Sequence, residues 1–241
     1  MKKIIIYGGT SLLSIEFIKK FENEVDEFIV INRNKTKFEE KTQLFDKNLK
    51  NKIKSYQIDI LDLEKNLIFS RGLEDNSYEG IFFVMGETGN PDIEIKDPDE
   101  CYVNYKTNLI HPVLIINSLV PKLKTNSYIC VFTSVAGIRG RALRLFYCSS
   151  KAGLISYLSG LRQRLYQKNI NVINVVAGYM STEKFKYKAN KLLISNPSKV
   201  IDRIYTGIKN KREIVYSSFI WLLISNIIKI IPEKIFKKLK F

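Results

Sequence analysis

The chain begins with an apolar run that stops on two glycines and turns straight into a helical pattern. Lys3–Tyr7 reads KIIIY, Gly8-Gly9-Thr10-Ser11 follows, and Leu12, Leu13, Ile15, Phe17, Ile18 and Phe21 then recur at helical spacing. A short apolar run cut by glycine reads as a buried strand, and recurrence at three and four residues reads as one face of a helix. The same alternation continues along the chain. Strands are predicted at Phe28–Ile31, Ile53–Ile60, Gly80–Val84, Tyr128–Thr133, Asn171–Val176 and Glu213–Tyr216. Between them lie a polar helix through Gln43, one beginning near Asp62, a long one over Asp99–Leu123, one reaching about Lys168, and one over Ser198–Lys209. Strands that alternate with helices of this length build a parallel sheet with right-handed crossovers and helices on both faces.

That architecture is an α/β fold, a single-domain Rossmann-type doubly wound sheet of about seven strands. With 241 residues, 45% of them hydrophobic, one core is enough. The body is expected to span 1–217, followed by an apolar and basic segment over 218–241. The first turn has the strand–glycine–helix context of a dinucleotide site, where Thr10, Ser11, Leu12 and Leu13 at the helix start offer N–H groups to a pyrophosphate. Against the pattern G-x-x-x-G-x-G only Gly8 matches, and Leu12 and Ser14 replace the later glycines. The second strand ends in Asn32-Arg33 with no acid. An acid there suits the ribose 2′-hydroxyl of NAD, and an arginine suits the 2′-phosphate of NADP. NADP(H) is therefore the preferred cofactor and NAD(H) the alternative. Asp59, next to Ile60, either accepts from the adenine amino group or caps the following helix. Gly86 would let the backbone approach the cofactor ribose.

The reacting groups are sought where a strand ends in a hydroxyl. Tyr-x-x-x-Lys occurs four times, at Tyr102/Lys106, Tyr147/Lys151, Tyr187/Lys191 and Tyr205/Lys209. Only Tyr147 follows a strand-ending serine, Ser134, and stands with Lys151 at the head of a helix. A free phenol titrates near pH 10, so it is a slow general acid at neutral pH. An ammonium one turn away, with oxidised nicotinamide nearby, favours the phenolate, and so Lys151 would tune Tyr147. Ser134 would donate to a carbonyl oxygen and steady the alkoxide, with hydride coming from the cofactor. Asn108 lies inside a helical pattern, where asparagine is unfavourable. It is either a solvated side chain or a kinked site that helps hold water near a lysine.

These residues jointly resemble the short-chain dehydrogenase/reductase family over about residues 3 to 216. The resemblance is carried by Gly8-Gly9-Thr10-Ser11, Asp59, Asn108, Ser134, Tyr147-Cys148-Ser149-Ser150-Lys151-Ala152, and Gly178 with Thr182. The thirteen-residue steps from Ser134 to Tyr147 and from Asn108 to Pro121 match the family. By this resemblance Asn108 is the relay asparagine, Lys151 also binds the nicotinamide ribose, and Gly178 and Thr182 lie beside the nicotinamide. Ala177 stands where the family usually has proline. A narrower stretch, Ser134-Val135-Ala136-Gly137 with Arg139 and Arg141 before Tyr147, is similar to reductases of decaprenylphosphoryl keto-ribose. The similarity implies a keto-sugar substrate on a lipid phosphate, used in cell-surface polysaccharide synthesis. Arg139, Arg141 and Arg144 then either meet a phosphodiester or form a solvated basic loop.

The tail carries the other functional signal. Phe219–Ile231 reads FIWLLISNIIKII, thirteen residues, and Lys234, Lys237, Lys238 and Lys240 follow Pro232. That apolar run is shorter than the roughly 20 residues a membrane span needs. Apolar bulk beside lysines suits a helix lying in the interface, and docking on the body or a dimer contact is the other expectation. The net charge of +15 fits anionic partners. It is dispersed and accompanies no recognition module, so no nucleic-acid partner is expected. Three cysteines without paired spacing and one histidine, His111, argue against a disulfide framework and a metal site. The start MKKIIIYGG does not read as a signal peptide. A cytoplasmic homo-oligomer in peripheral contact with the inner face of the cell membrane is expected. Two other functions remain open: reduction of an acyl, steroid or other lipid ketone, and a non-catalytic nucleotide-binding membrane scaffold.

Overall fold

The protein is described by a computed structural model over residues 1–181 and 190–239. Its strands are β1 (Lys3–Tyr7), β2 (Glu27–Asn32), β3 (Ile53–Gln57), β4 (Tyr78–Phe83), β5 (Leu123–Ser134), β6 (Asn171–Ala177), β7 (Tyr179–Met180), β8 (Ile194–Ser195) and β9 (Ile214–Tyr216). Its helices are α1 (Leu12–Phe21), α2 (Lys35–Thr42), α3 (Lys47–Asn51), α4 (Leu63–Arg71), α5 (Pro91–Glu94), α6 (Pro98–Tyr105), α7 (His111–Leu119), α8 (Leu145–Leu165), α9 (Pro197–Lys209), α10 (Phe219–Ile230) and α11 (Glu233–Phe236). Seven strands form one sheet in the order β3-β2-β1-β4-β5-β6-β9, and every pairing in it is parallel. The order reverses between β1 and β4, so a crevice opens beyond their carboxyl ends, where ligands bind in folds of this kind.

Alternation along the strands divides the core in two. Ile4 and Ile6 of β1, Phe28 and Val30 of β2 and Phe82 of β4 pack with Phe17 and Ile18 of α1 and Val200 and Ile204 of α9. Ile5 and Tyr7, Ile29 and Ile31, and Ile81 and Phe83 face the other way, onto Ile115 and Leu119 of α7 and Leu154 and Leu158 of α8. Fully buried parallel strands read as continuous apolar runs for this reason.

Three elements depart from the sequence expectation, each for a local reason. β3 stops at Gln57, because Asp59 turns the chain: its carboxylate accepts from the Leu61 N–H at 3.0 Å. The helix cap is Asp62 instead, which accepts from the Lys65 N–H. The stretch between β4 and α6, where no element is predicted, contains the single-turn α5. The long helix expected over Asp99–Leu123 is broken by a π-helical turn at Lys106–Ile110, and Leu123 already opens β5. The His111 N–H reaches back five residues to the Lys106 carbonyl. Pro112 then has no N–H for the Asn108 carbonyl four residues earlier, so that carbonyl lacks its α-helical donor.

Candidate active site

The crevice is a cleft of about 660 Å³ at the carboxyl ends of β1, β2 and β4. Gly8, Thr10, Ser11, Leu12, Arg33, Asp59, Ile60 and Gly86 all line it. Gly8 has φ +91°, and a Cβ there would stand 2.3 Å from the Val84 carbonyl oxygen, so only glycine lets β1 turn against β4. Ser14 accounts for one lost glycine. Fully buried, it donates to the Gly8 carbonyl at 2.9 Å and so pins the turn that a bare glycine would only permit. Ser11 caps α1 by accepting from the Leu13 N–H. Five expected cofactor residues are absent from its lining: Leu13, Asn32, Tyr147, Lys151 and Gly178. The Leu13 side chain belongs to the core, and the buried Asn32 turns its amide toward β3, donating to the Ser55 hydroxyl at 2.9 Å. Lys37 and Lys41 of α2 join Arg33 on the wall, as do Met85, Asn104 and Thr107. Sequence reasoning missed these lysines, although their spacing of four after Arg33 was a usable signal.

A dinucleotide fits this donor set. The α1 N-terminus with Thr10, Ser11 and Leu12 would hold the pyrophosphate, and Arg33 the adenosine ribose end. At the other end, Gly86 sits where two functional side chains converge. A Cβ on it would be 2.8 Å from Asn108 Oδ1 and 2.9 Å from Lys151 Nζ. The fully buried Asn108 donates to the Glu87 carbonyl at 2.8 Å and to the Asn104 carbonyl at 3.0 Å, and accepts from the Glu87 N–H. The mid-helix asparagine is therefore no solvated residue. It clamps the strand-end loop onto the π turn.

Ser134, Tyr147 and Lys151 meet beside this clamp. Ser134 ends β5, buried, and its hydroxyl lies close enough to the Tyr147 phenol to oppose the rise in its pKa. Gly137 makes the meeting feasible: a Cβ there would lie 2.7 Å from the Lys151 backbone carbon, so the loop after Ser134 rests directly on α8. Burial raises the Tyr147 phenol above its ordinary pKa of 10.0, with Ser134, Arg141 and Arg144 acting in the opposite direction. The phenol is thus protonated at neutral pH, the form a general acid requires. Lys151 is 3% exposed, and burial lowers its pKa from 10.5 to about 8. Its ammonium donates to the Met85 carbonyl at 3.3 Å and stands 5.8 Å from the Tyr147 ring centre. Tuning of the phenol by Lys151 is not what this state displays; the nearer influences are burial and Ser134.

Gly178 follows β6, and its bare Cα is required by the tail. A Cβ there would fall 1.9 Å from Cε2 of Trp221 on α10. The indole N–H donates to the Leu193 carbonyl at 2.9 Å, and Trp221 packs with Val135 and Val176. Thr182 lies outside the described residues. The basic loop divides its arginines. Arg139 donates to the Ile228 and Ile231 carbonyls, pairs with Glu233 and covers the Phe236 ring at 3.8 Å, tying the tail to the loop between Ser134 and Tyr147. Arg144 donates to the Gly89 carbonyl at 2.9 Å. His111 binds the Ile60 carbonyl, no disulfide joins the three cysteines, and no group of metal-binding side chains forms among the described residues.

A doubly wound parallel sheet thus carries a cleft at its switch point, with Asn108 and Lys151 converging on the cleft-lining Gly86 and Tyr147 beside Lys151. Residues 2–192 match the short chain dehydrogenase family, and the chain belongs to it. The ketoacyl reductase HetN of Nostoc sp. (strain PCC 7120) is 33% identical over 114 residues, 44% of this chain and 40% of that protein. The chain thus spans about two fifths of the length of such relatives. A short chain dehydrogenase from Burkholderia cenocepacia J2315 in complex with NADP superposes with a TM-score of 0.78 at 16% identity, over 96% of this chain and 100% of that one. A 3-oxoacyl-[acyl-carrier protein] reductase from Brucella melitensis in complex with NAD gives 0.73 at 17%, over 90% and 95%. These likenesses agree with the seven-stranded parallel fold.

Proposed function

We propose that the protein is an NAD(P)(H)-dependent reductase, NADP(H)-preferring, that converts a ketone to an alcohol, and that its substrate is a keto-sugar carried on a lipid phosphate. The observation that carries the proposal is the meeting of Ser134, Tyr147 and Lys151 beside Gly86, which lines the same cleft as Arg33. Ser134 holds the ketone oxygen, and the Tyr147 hydroxyl gives it a proton. Lys151 holds the ribose next to the reacting centre, with the Gly178 backbone beside the nicotinamide. The Asn108 carbonyl, freed by Pro112, holds the water through which Tyr147 regains its proton. Bound NADPH supplies the hydride.

The tail supports the lipid-linked substrate. No helix among the described residues is long and apolar enough to cross a membrane. α10 instead buries Trp221 and Ser225 and leaves Phe219, Leu223, Ile227 and Ile230 exposed along the opposite face; Ile235 and Leu239 continue it. Lys229, Lys234, Lys237 and Lys238 lie on the same short segment. Such a surface suits peripheral binding to anionic lipid at the cytoplasmic face of the membrane. Exposed Ile110 and Leu114 near the start of α7 suit a contact between copies in a homo-oligomer. A second reading, reduction of a 3-ketoacyl thioester, is favoured by the likeness to HetN. The test is NADPH oxidation with a panel of sugar ketones, free and phosphate-linked, against 3-ketoacyl thioesters. Faster turnover of the thioesters would replace the first reading by the second.

A further inference from the structure

The loop after Ser134 is held from two sides. On one side lies α8, since a Cβ on Gly137 would be 2.7 Å from the Lys151 backbone carbon. On the other lies the tail. Trp221 packs on Val135, the residue next to Ser134, and Arg139 reaches the end of α10. The sequence of the tail explains why Arg139 is used there. The last carbonyls of a helix have no donor within it. The Ile228 carbonyl would take the N–H four residues later, but that residue is Pro232, which has none. Arg139 supplies the donor instead, 3.0 Å from the Ile228 carbonyl, and serves the Ile231 carbonyl as well. Its charge also suits the negative end of the helix dipole. Glu233 and the Phe236 ring close over the same guanidinium.

This anchor secures a thin contact. Of the 12 residues of α10, only Trp221 and Ser225 are buried. The outward face, with Phe219, Leu223, Ile227 and Ile230, is apolar and exposed. Lys229, Lys234, Lys237 and Lys238 accompany it, and the one acid of the tail, Glu233, is already paired with Arg139. An anionic lipid surface complements both the apolar strip and these lysines. A helix this short is marginal in water by itself. Docking on the body and contact with lipid use opposite faces of α10 and both require it to be helical, so each lowers the ordering cost of the other. We propose that Arg139 is the positioning residue through which an anionic membrane surface bound to α10 holds the loop between Ser134 and Tyr147 in place. It rests on peripheral lipid binding by the tail, and its consequence is regulation: the loop beside the reacting groups is tighter on the membrane than in solution.

The test is amide hydrogen exchange on the full chain, so that it stands apart from turnover. Exchange over residues 135–144 would be followed without vesicles, with phosphatidylcholine vesicles, and with vesicles of equimolar phosphatidylglycerol and phosphatidylcholine. The parent should sediment with the anionic vesicles and exchange this loop about tenfold more slowly on them. Arg139→Ala should still sediment, since the outward face of α10 is intact, but its loop should exchange at one rate with and without vesicles. Arg139→Lys, which keeps a cation at the helix end, should restore part of the slowing. A merely structural role for Arg139 would change the basal rate and leave the response to lipid in place. Slowing that persists undiminished in Arg139→Ala, or a parent that sediments without slowing, overturns the proposal and leaves lipid binding standing. A parent that does not sediment overturns both, and a mass that then falls in Leu223→Glu/Ile227→Glu gives this face to a second copy of the chain.

Discussion

Lys151 holds an ammonium in a place that favours a neutral amine, and replacing it should make the protein more stable while disabling it. Burial brings its pKa from 10.5 down to about 8. At about 1.36 kcal/mol per tenfold, the folded state carries a penalty of ~3 kcal/mol wherever the lysine is charged in both states. The unfolded chain keeps this proton up to about pH 10.5 and the folded chain only to about pH 8. The penalty is therefore complete below pH 8 and is released as pH rises toward 10.5, since the unfolded state binds more protons in that window. Lys151→Met keeps much of the length and removes the charge, and the contact it forfeits is a single 3.3 Å hydrogen bond to the Met85 carbonyl. Urea unfolding of the cofactor-free protein at pH 7 should show the variant more stable by about 2–3 kcal/mol, shrinking below ~1 kcal/mol at pH 10. Turnover with NADPH should fall by about 10²-fold or more. A variant less stable than the parent at pH 7, or a gain that does not change with pH, would refute the reasoning.

Other consequences follow from named contacts. Gly178→Ala should drive the indole of Trp221 off the body and destabilise the fold by about 1–3 kcal/mol. Because Trp221 is the only tryptophan in the chain, a red shift in its emission reports the displacement directly. Arg33→Ala should raise KM for NADPH about tenfold and leave NADH unaffected, checked by steady-state kinetics with each cofactor; equal effects on both would remove Arg33 from cofactor choice. Leu223→Glu with Ile227→Glu replaces two exposed residues, so thermal stability should move by less than ~1 kcal/mol. The same pair should abolish sedimentation with anionic phospholipid vesicles, and unchanged sedimentation would contradict an interfacial role for α10.

The strand–helix alternation made the sheet legible because buried parallel strands are apolar throughout and their ends are marked by Gly8, Asn32 and Ser134. The cleft wall was legible at Arg33, Asp59 and Gly86, each of which directly follows a strand or its turn. What the sequence concealed depended on contacts distant along the chain. Arg139 read as one more cation in a basic loop, and nothing local says that it binds carbonyls some ninety residues later. Gly178 read as a cofactor neighbour, and nothing local says that its missing side chain also makes room for Trp221. Asn32 and Leu13 occupy the right positions on the chain but turn inward, because register decides which face of a strand or helix a side chain takes. The π turn around Asn108 had a readable cause, Pro112 four residues later, which periodicity alone smoothed into one long helix.

The central claim is that the Tyr147 hydroxyl delivers the proton that completes ketone reduction. Its most direct measurement is the rate of hydride transfer from bound NADPH to the best ketone of the panel, in the parent and in Tyr147→Phe. The account predicts a fall of about 10²–10⁴-fold in kcat with NADPH affinity within a few-fold of the parent. A Tyr147→Phe protein that turns over at the parental rate would contradict it.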